Sequence, residues 1–198
     1  VPGESYLAAL DAFYDFRKKI KLINAKHEAT ASNMAEAYGK LTGKPGVAFV
    51  TRGPGACHAS IGVHIAKQDS TPMVLFVGQV ATKMYGKGSF QEIDYVSMFS
   101  KVAKKSFQIS KVEGIEKLIH KAFQISNSGR KGPVVIALPE DILVKTTMQK
   151  NLSVFDIKKA MVNRDQILKI KSLLELSKKP LIILGGTNWS ENSKKNIK

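Results

Sequence analysis

The 198-residue chain is 43% hydrophobic and 8% aromatic, with 15 Gly and 7 Pro, proportions that exclude a disordered tail, a collagen-like repeat and a disulfide scaffold. Lys and Arg outnumber Asp and Glu by 31 to 16, a net charge of +15 concentrated late: residues 1–100 hold 11 basic and 8 acidic side chains, residues 101–198 hold 20 and 8. The excess is nearly all Lys, spread singly or in pairs such as Lys104-Lys105 and Lys178-Lys179 without interleaved Arg and aromatics. It reads as solvated helix faces, not as a nucleic-acid surface.

In chain order, Tyr6, Leu7, Leu10, Phe13 and Tyr14 recur at helical spacing and end in Arg17-Lys18-Lys19, cations suited to a last turn. Lys21 to Ala25 is a short predicted strand. A helix follows from about Glu28, with Met34, Ala37, Tyr38 and Leu41 on one face and Gly43 as its stop. Gly46 to Thr51 reads as a buried strand. The turn Arg52-Gly53-Pro54-Gly55 leads into a small-residue helix through Ala59, Ile61, Gly62 and Ile65, and Pro72 to Gly78 is the most apolar strand. Gln79 to Gln91, with Gly86 and Gly88, fits neither period and is long for a connection, which marks it as a functional loop. Lys105 to Ile109 (strand), residues 113–127 (amphipathic helix, stopped at Gly129) and Pro133 to Leu138 (buried strand) complete the series.

Near-continuous apolar strands separated by helices predict an α/β fold, a doubly wound parallel sheet with helices on both faces. The expected division is a first domain over 1–140, a linker over 141–162 where periodicity lapses, and over 163–198 the start of a second α/β unit: cap Asn163, a helix to Leu176, a strand at Pro180 to Leu184 and Gly185-Gly186. The chain opens on Val1-Pro2-Gly3-Glu4 and stops within a helical pattern, so it is expected to be part of a longer protein. The single Cys57 supplies neither a disulfide nor a metal-ligand pair and fits a reducing compartment, the cytoplasm. No apolar run is long enough for a membrane span, and no membrane partner is expected.

Ligands of open parallel sheets bind beyond the carboxyl ends of the strands. Four segments qualify: Pro2-Gly3-Glu4, His27-Glu28, Gly53-Pro54-Gly55 and Gly78 to Gln91. Glu28 is either a first-turn acid stabilised by the helix dipole or a carboxyl placed for proton exchange, and His27 either a second acid–base group or a structural histidine. The Gly53 turn lacks the Lys-Ser/Thr of a Walker loop and the spacing of a dinucleotide site. Its small residues suit either a tight turn or close backbone approach to a ring. Cys57 reads as a packed small side chain, and Phe90-Gln91-Glu92 offers an aromatic wall and an amide or else a plain surface loop.

Seven ordered segments together resemble one family: His27-Glu28-Ala29-Thr30-Ala31-Ser32-Asn33-Met34-Ala35-Glu36-Ala37-Tyr38, Thr42-Gly43-Lys44-Pro45-Gly46-Val47, Gly53-Pro54-Gly55-Ala56, Asp69-Ser70-Thr71-Pro72, Gly78-Gln79-Val80, Phe90-Gln91-Glu92 and Gly129-Arg130-Lys131-Gly132-Pro133-Val134. They look like the N-terminal pyrimidine-binding domain of thiamine-diphosphate enzymes, most of all the acetolactate synthase group. That likeness implies an enzyme that decarboxylates a 2-oxo acid through the cofactor's C2 carbanion and transfers the acyl carbanion, acetolactate from two pyruvates being the leading reaction. A related decarboxylase, lyase or acetyltransferase is the alternative, and a non-catalytic basic module binding an acidic partner is the reading from a different class. The likeness makes Glu28 the catalytic carboxyl, hydrogen-bonded to the aminopyrimidine nitrogen in a dry site that raises its pKa. It places Pro2, Gly3, Glu28, Gly53, Pro54 and Gln91 at the cofactor, with Phe90 and Gln91 facing substrate. It also implies Mg²⁺ held by a Gly-Asp-Gly motif that this chain lacks, leaves FAD open, and implies a homodimer or homotetramer with the active site between subunits. Here Ala56-Cys57-His58 stands where acetolactate synthases typically read Ala-Thr-Asn.

Overall fold

Strict alternation along the central strands builds two cores. The computed structural model describes residues 1–147, 162–186 and 189–197. Four parallel strands, β1 (Gly46–Val50), β2 (Met73–Gln79), β3 (Lys105–Gln108) and β4 (Pro133–Pro139), lie in the spatial order β1-β2-β4-β3. Met73 pairs with Gly46 on one side and Pro133 on the other, and the register runs unbroken to Gln79 and Pro139. Met73, Leu75, Val77, Val135 and Ala137 face one helical layer, whereas Val74, Phe76, Val134, Ile136 and Leu138 face the other. Each such fully buried aliphatic side chain contributes about 1.5–3 kcal/mol of transfer free energy.

The helices of this unit are α1 (Leu7–Asp15), α2 (Glu28–Thr42), α3 (Pro54–Gln68), α4 (Tyr95–Phe99), α5 (Ile115–Asn127) and α6 (Glu140–Leu143). Ala35 of α2, Ala56, Ala59, Val63 and Ala66 of α3, and Tyr95 and Phe99 of α4 cover the first face. Ala122 of α5 and Ile142 of α6 cover the second. Phe13 of α1 packs edge-on against Phe49, which stacks on Phe76. Small residues let α2 approach its neighbours closely: a Cβ on Gly62 would lie 2.5 Å from Ser32 Oγ, and one on Gly39 would lie 2.2 Å from the Pro72 carbonyl. Ser126 of α5 fastens the start of β2, its Oγ accepting from the Met73 N–H at 2.9 Å and donating to the Met73 carbonyl at 3.1 Å.

The predicted α/β sheet with helices on both faces is therefore present, with three departures. Lys21 to Ala25 forms no strand; the segment is largely exposed and pairs with no neighbour, so its short apolar run has no ladder to join. In α2 the predicted apolar stripe exists but points outward: Met34, Tyr38 and Leu41 are exposed, while Ser32, Ala35, Glu36 and Gly39 are buried. Close approach to α3 favours the small side chains over the large ones. Pro180 to Leu184 is likewise no strand, its residues lying in the open with no sheet to pair with among the described residues.

Downstream of the sheet, α7 (Arg164–Leu176) starts at its expected cap, where Asn163 Oδ1 accepts from the Asp165 N–H at 2.8 Å, and α8 (Glu191–Ile197) follows. Most of the linker expected over 141–162 lies outside the described residues. Its first residues pack on the sheet unit, with Ile142 buried and the Asp141 carboxylate accepting from the Thr82 N–H at 2.9 Å and hydroxyl at 2.6 Å.

Candidate active site

At the carboxyl end of β1 the chain leaves the sheet as Thr51-Arg52-Gly53 and enters α3 through Pro54. Gly53 holds φ +57 and ψ −115, a conformation open to glycine. Thr51 receives the N-terminal segment. A Cβ on Gly3 would sit 2.4 Å from Thr51 Cβ, and Ser5 Oγ lies 2.9 Å from Thr51 Oγ1. Arg52 is buried and ties the same segment to the end of β4, donating to Glu4 Oε1 and, at 3.3 Å, to Glu140 Oε2. Val1, Pro2 and Gly3 are thereby held at the sheet's ligand edge.

The second loop meets the first through a buried tyrosine. Tyr95 Oη accepts from the Gly53 N–H at 2.7 Å and donates to the Gln91 carbonyl at 3.5 Å. Burial pushes the Tyr95 phenol up to about 12, which keeps it a neutral donor and acceptor. Gln91 itself holds φ +60, a strained value for a residue with a side chain. The loop before it is drawn tight by Glu92, whose carboxylate accepts from the Gly86 N–H and, at 3.0 Å, from the Ser89 N–H. Those amides, Gly86 first, hold the Glu92 carboxyl below its ordinary value.

Glu28 opens α2, and the helix packing sets its partner. Ser32 of α2 meets Gly62 of α3; one turn earlier on each helix stand Glu28 and His58, whose Oε2 and Nδ1 lie 2.9 Å apart. The glutamate is 13% exposed at its side chain and the histidine 50%. Its other oxygen, Oε1, lies over Gly55, where a Cβ would be 3.6 Å away. His27 caps the helix, its Nδ1 accepting from the Ala29 N–H at 3.2 Å, and stacks on His58 with centroids 4.6 Å apart and planes 28° apart.

Burial is the largest influence on Glu28 and pushes its pKa up. The His58 hydrogen bond, its own N–H and the charges of His58 and His27 together outweigh that, so the carboxyl lies below its ordinary value. This reverses the raised pKa expected from a dry site. The carboxylate is ionised at neutral pH, so His58 Nδ1 carries the proton it donates. Donor atoms of His27, Glu28 and His58 lie within 4.8 Å of one another. Stacked imidazoles do not aim their in-plane lone pairs at one point, however, and both Nδ1 atoms are engaged, so the trio is a hydrogen-bonded carboxylate–histidine pair under a stacked cap.

Of the residues singled out in the sequence, Gly3, Glu28, Gly53 and Gln91 thus converge around Thr51 to Gly55. Pro2 and Pro54 are at the same edge and exposed. Phe90 is brought to the edge but projects into solvent, 72% exposed. Cys57 is also exposed, against the expectation of a packed thiol, because the buried face of α3 is taken by Ala56, Ala59 and Val63. Thr51, Arg52 and Tyr95 were not anticipated; their roles depend on contacts 42 to 88 residues away that leave no local periodicity.

Residues 1–98 match the family model described as the thiamine pyrophosphate enzyme N-terminal TPP binding domain. Over 203 aligned residues the chain is 39% identical to the acetolactate synthase large subunit of Buchnera aphidicola, a match covering 100% of this chain and 35% of that protein. Residues 1–98 belong to the family of thiamine pyrophosphate enzyme N-terminal domains. Further relatives are the acetolactate synthase isozyme 3 large subunit of Escherichia coli, 36% identical over 191 residues (93% of this chain, 33% of that protein), and the mitochondrial acetolactate synthase catalytic subunit of Saccharomyces cerevisiae, 36% identical over 200 residues (93% and 28%). The chain spans about a third of the length of the curated relatives it matches. The family's N-terminal domain model ends just before β3, so β3 and β4 lie outside the matched residues.

Proposed function

We propose that this chain is the pyrimidine-binding part of a thiamine-diphosphate enzyme that decarboxylates a 2-oxo acid and transfers the acyl unit, forming acetolactate from two pyruvates. The observation that carries the reading is the Glu28 carboxylate, gripped at Oε2 by His58, with Oε1 over a glycine at the ligand edge of the sheet. Gly53 and Gly55 suit the group: side chains there would fill the space against Gln91 and beside Glu28. Relatives named acetolactate synthase along the whole chain support the choice of reaction.

When bound, thiamine diphosphate supplies a nucleophilic carbon and an electron sink for the departing CO₂. With the ring bound and water excluded, the Glu28 carboxylate would share a proton at Oε1 with the aminopyrimidine ring nitrogen. Gly3, Gly53 and Pro54, with Pro2 at the rim, give backbone that approaches the ring closely, and Gln91 presents an amide to ring and substrate. Phe90, in solvent here, turns inward once a second surface faces it. No Gly-Asp-Gly occurs in these 198 residues. The reading assigns Mg²⁺ and the diphosphate to oxygens outside these residues, where the family's Gly-Asp-Gly motif would supply them.

The reading includes a homodimer or homotetramer with the site between subunits, and the same surface supports it. Met34, Tyr38 and Leu41 of α2 with Ile61 and Ile65 of α3 form exposed apolar stripes that start at the Glu28–His58 end of the two helices. A second copy covering them would bury Glu28 further and move its proton affinity upward, toward what donation to a ring nitrogen needs. Among the described residues no helix is long and apolar enough to cross a membrane. A small-molecule substrate in the cytoplasm completes the reading, supported there by the lone thiol of Cys57.

The test is product analysis: the whole enzyme with pyruvate, thiamine diphosphate and Mg²⁺ yields acetolactate and CO₂. Acetaldehyde, acetyl transfer or untouched pyruvate contradicts the assigned reaction.

A further inference from the structure

We infer that His58 is a positioning residue for Glu28: its Nδ1–H holds Oε2 and thereby turns Oε1 toward the cleft beside Gly55. The inference rests on the reading of Glu28 as the carboxyl that meets the aminopyrimidine ring.

Three observations support it. The 2.9 Å contact joins a carboxylate that is mostly buried to a ring that is half exposed, so the histidine is not there to fill the core. The His58 ring is itself held, sandwiched on one face by His27, whose Nδ1 is fixed by the Ala29 N–H. The pair also repeats the Ser32–Gly62 contact one turn earlier, so the rigid α2–α3 packing sets the distance between the two side chains. A carboxylate free at both oxygens rotates about its last torsion, whereas one pinned at Oε2 presents Oε1 in a single direction.

The ionisable groups facing Glu28 are His27 on its own helix, His58 on α3, and the α-amino group of Val1 and the Tyr6 phenol from the N-terminal segment. Tyr6 is neutral at working pH, its pKa pushed up to about 12 by burial. Of the direct hydrogen bonds to Glu28 from other side chains, His58 supplies the one that lowers its proton affinity.

The experiment uses the whole enzyme with His58→Ala, His58→Asn and, as control, Glu28→Gln. In His58→Ala the turnover number falls about tenfold and the limb of the kcat/KM profile that vanishes in Glu28→Gln moves up by roughly half to one pH unit, because the carboxylate has lost a donor. His58→Asn keeps an N–H donor and recovers turnover to within about threefold of wild type. Crystal structures of the cofactor-free variants give a readout independent of activity: the Glu28 carboxyl leaves its place over Gly55 in His58→Ala and stays there in His58→Asn. An unmoved carboxyl together with an unmoved Glu28-dependent limb in His58→Ala overturns the inference. If Glu28→Gln itself turns over like wild type, the proposed function fails instead, and the crystal structures still judge the His58–Glu28 pair on their own.

Discussion

Gly53 and Gln91 are fitted to each other across the two loops of the site. Both hold positive φ, +57 and +60, and a Cβ built on Gly53 would stand 2.7 Å from the Cβ of Gln91. Neither backbone conformation is comfortable alone, and each is held by the other and by Tyr95 between them.

Gly53→Ala therefore costs stability twice, through its φ and through the contact. A loss of about 2–4 kcal/mol in urea unfolding is expected, with thiamine diphosphate binding by the whole enzyme weakened at least tenfold. Unchanged cofactor affinity would separate this turn from the binding site.

Tyr95→Phe removes the oxygen that accepts from the buried Gly53 N–H while keeping the ring in the core. Leaving that N–H unpaired costs about 1–3 kcal/mol, and equilibrium unfolding measures it. Since the hydroxyl also touches Gln91, amide exchange at Gly53 and at residues 90–92 should quicken together; quickening at Gly53 alone would show that the two loops are independent.

Gly62→Ala forces α2 and α3 apart, because the new methyl would lie 2.5 Å from Ser32 Oγ and 2.7 Å from the Ser32 carbonyl carbon. The cost is about 1–3 kcal/mol, and adding Ser32→Ala does not restore it, since the backbone clash remains. Full rescue by the double variant would show that the hydroxyl alone sets the helix spacing.

Asp141 carries a pH signature. Burial, the largest influence, raises its pKa, but the Thr82 hydroxyl and N–H, with its own N–H and the charge of Lys145, outweigh it, so the folded carboxyl titrates below its ordinary 3.8. A group depressed in the folded state contributes stability that is present above its unfolded pKa and lost as pH falls through the folded value. The urea midpoint of wild type should accordingly decline below about pH 4 more steeply than that of Asp141→Asn, which starts lower at neutral pH. Parallel declines would show that the Thr82 contact contributes nothing to acid stability.

The sheet was legible because its strands are buried on both faces: Val74 to Val77 and Val134 to Leu138 are apolar without a break, and no helix period fits them. The same logic misled at Lys21 to Ala25 and Pro180 to Leu184, where apolar residues lack a partner strand among the described residues. Periodicity placed the stripe of Met34, Tyr38 and Leu41 but could not say which side of the helix it faced, since the small residues Ser32, Ala35 and Gly39 carry the packing. That Glu28, Gly3, Gly53 and Gln91 gather at one edge of the sheet was legible from their ordered motifs. His58 was visible only as a departure from a familiar run. Its bond to Glu28 depends on α2 and α3 aligning so that Ser32 meets Gly62, a register that two separate stripes of small residues suggest but do not fix. The direction of the Glu28 shift was missed for the same reason, because the donor that sets it comes from 30 residues away.

In the proposed function the Glu28 carboxyl handles the proton of the bound cofactor. The most direct measurement is turnover of pyruvate by the whole enzyme carrying Glu28→Gln, beside its thermal unfolding. The amide keeps the shape and the His58 contact but holds no exchangeable carboxyl proton. Turnover should fall by at least about a hundredfold while the melting temperature stays within a few degrees of wild type. Near wild-type turnover in a folded variant would contradict the account.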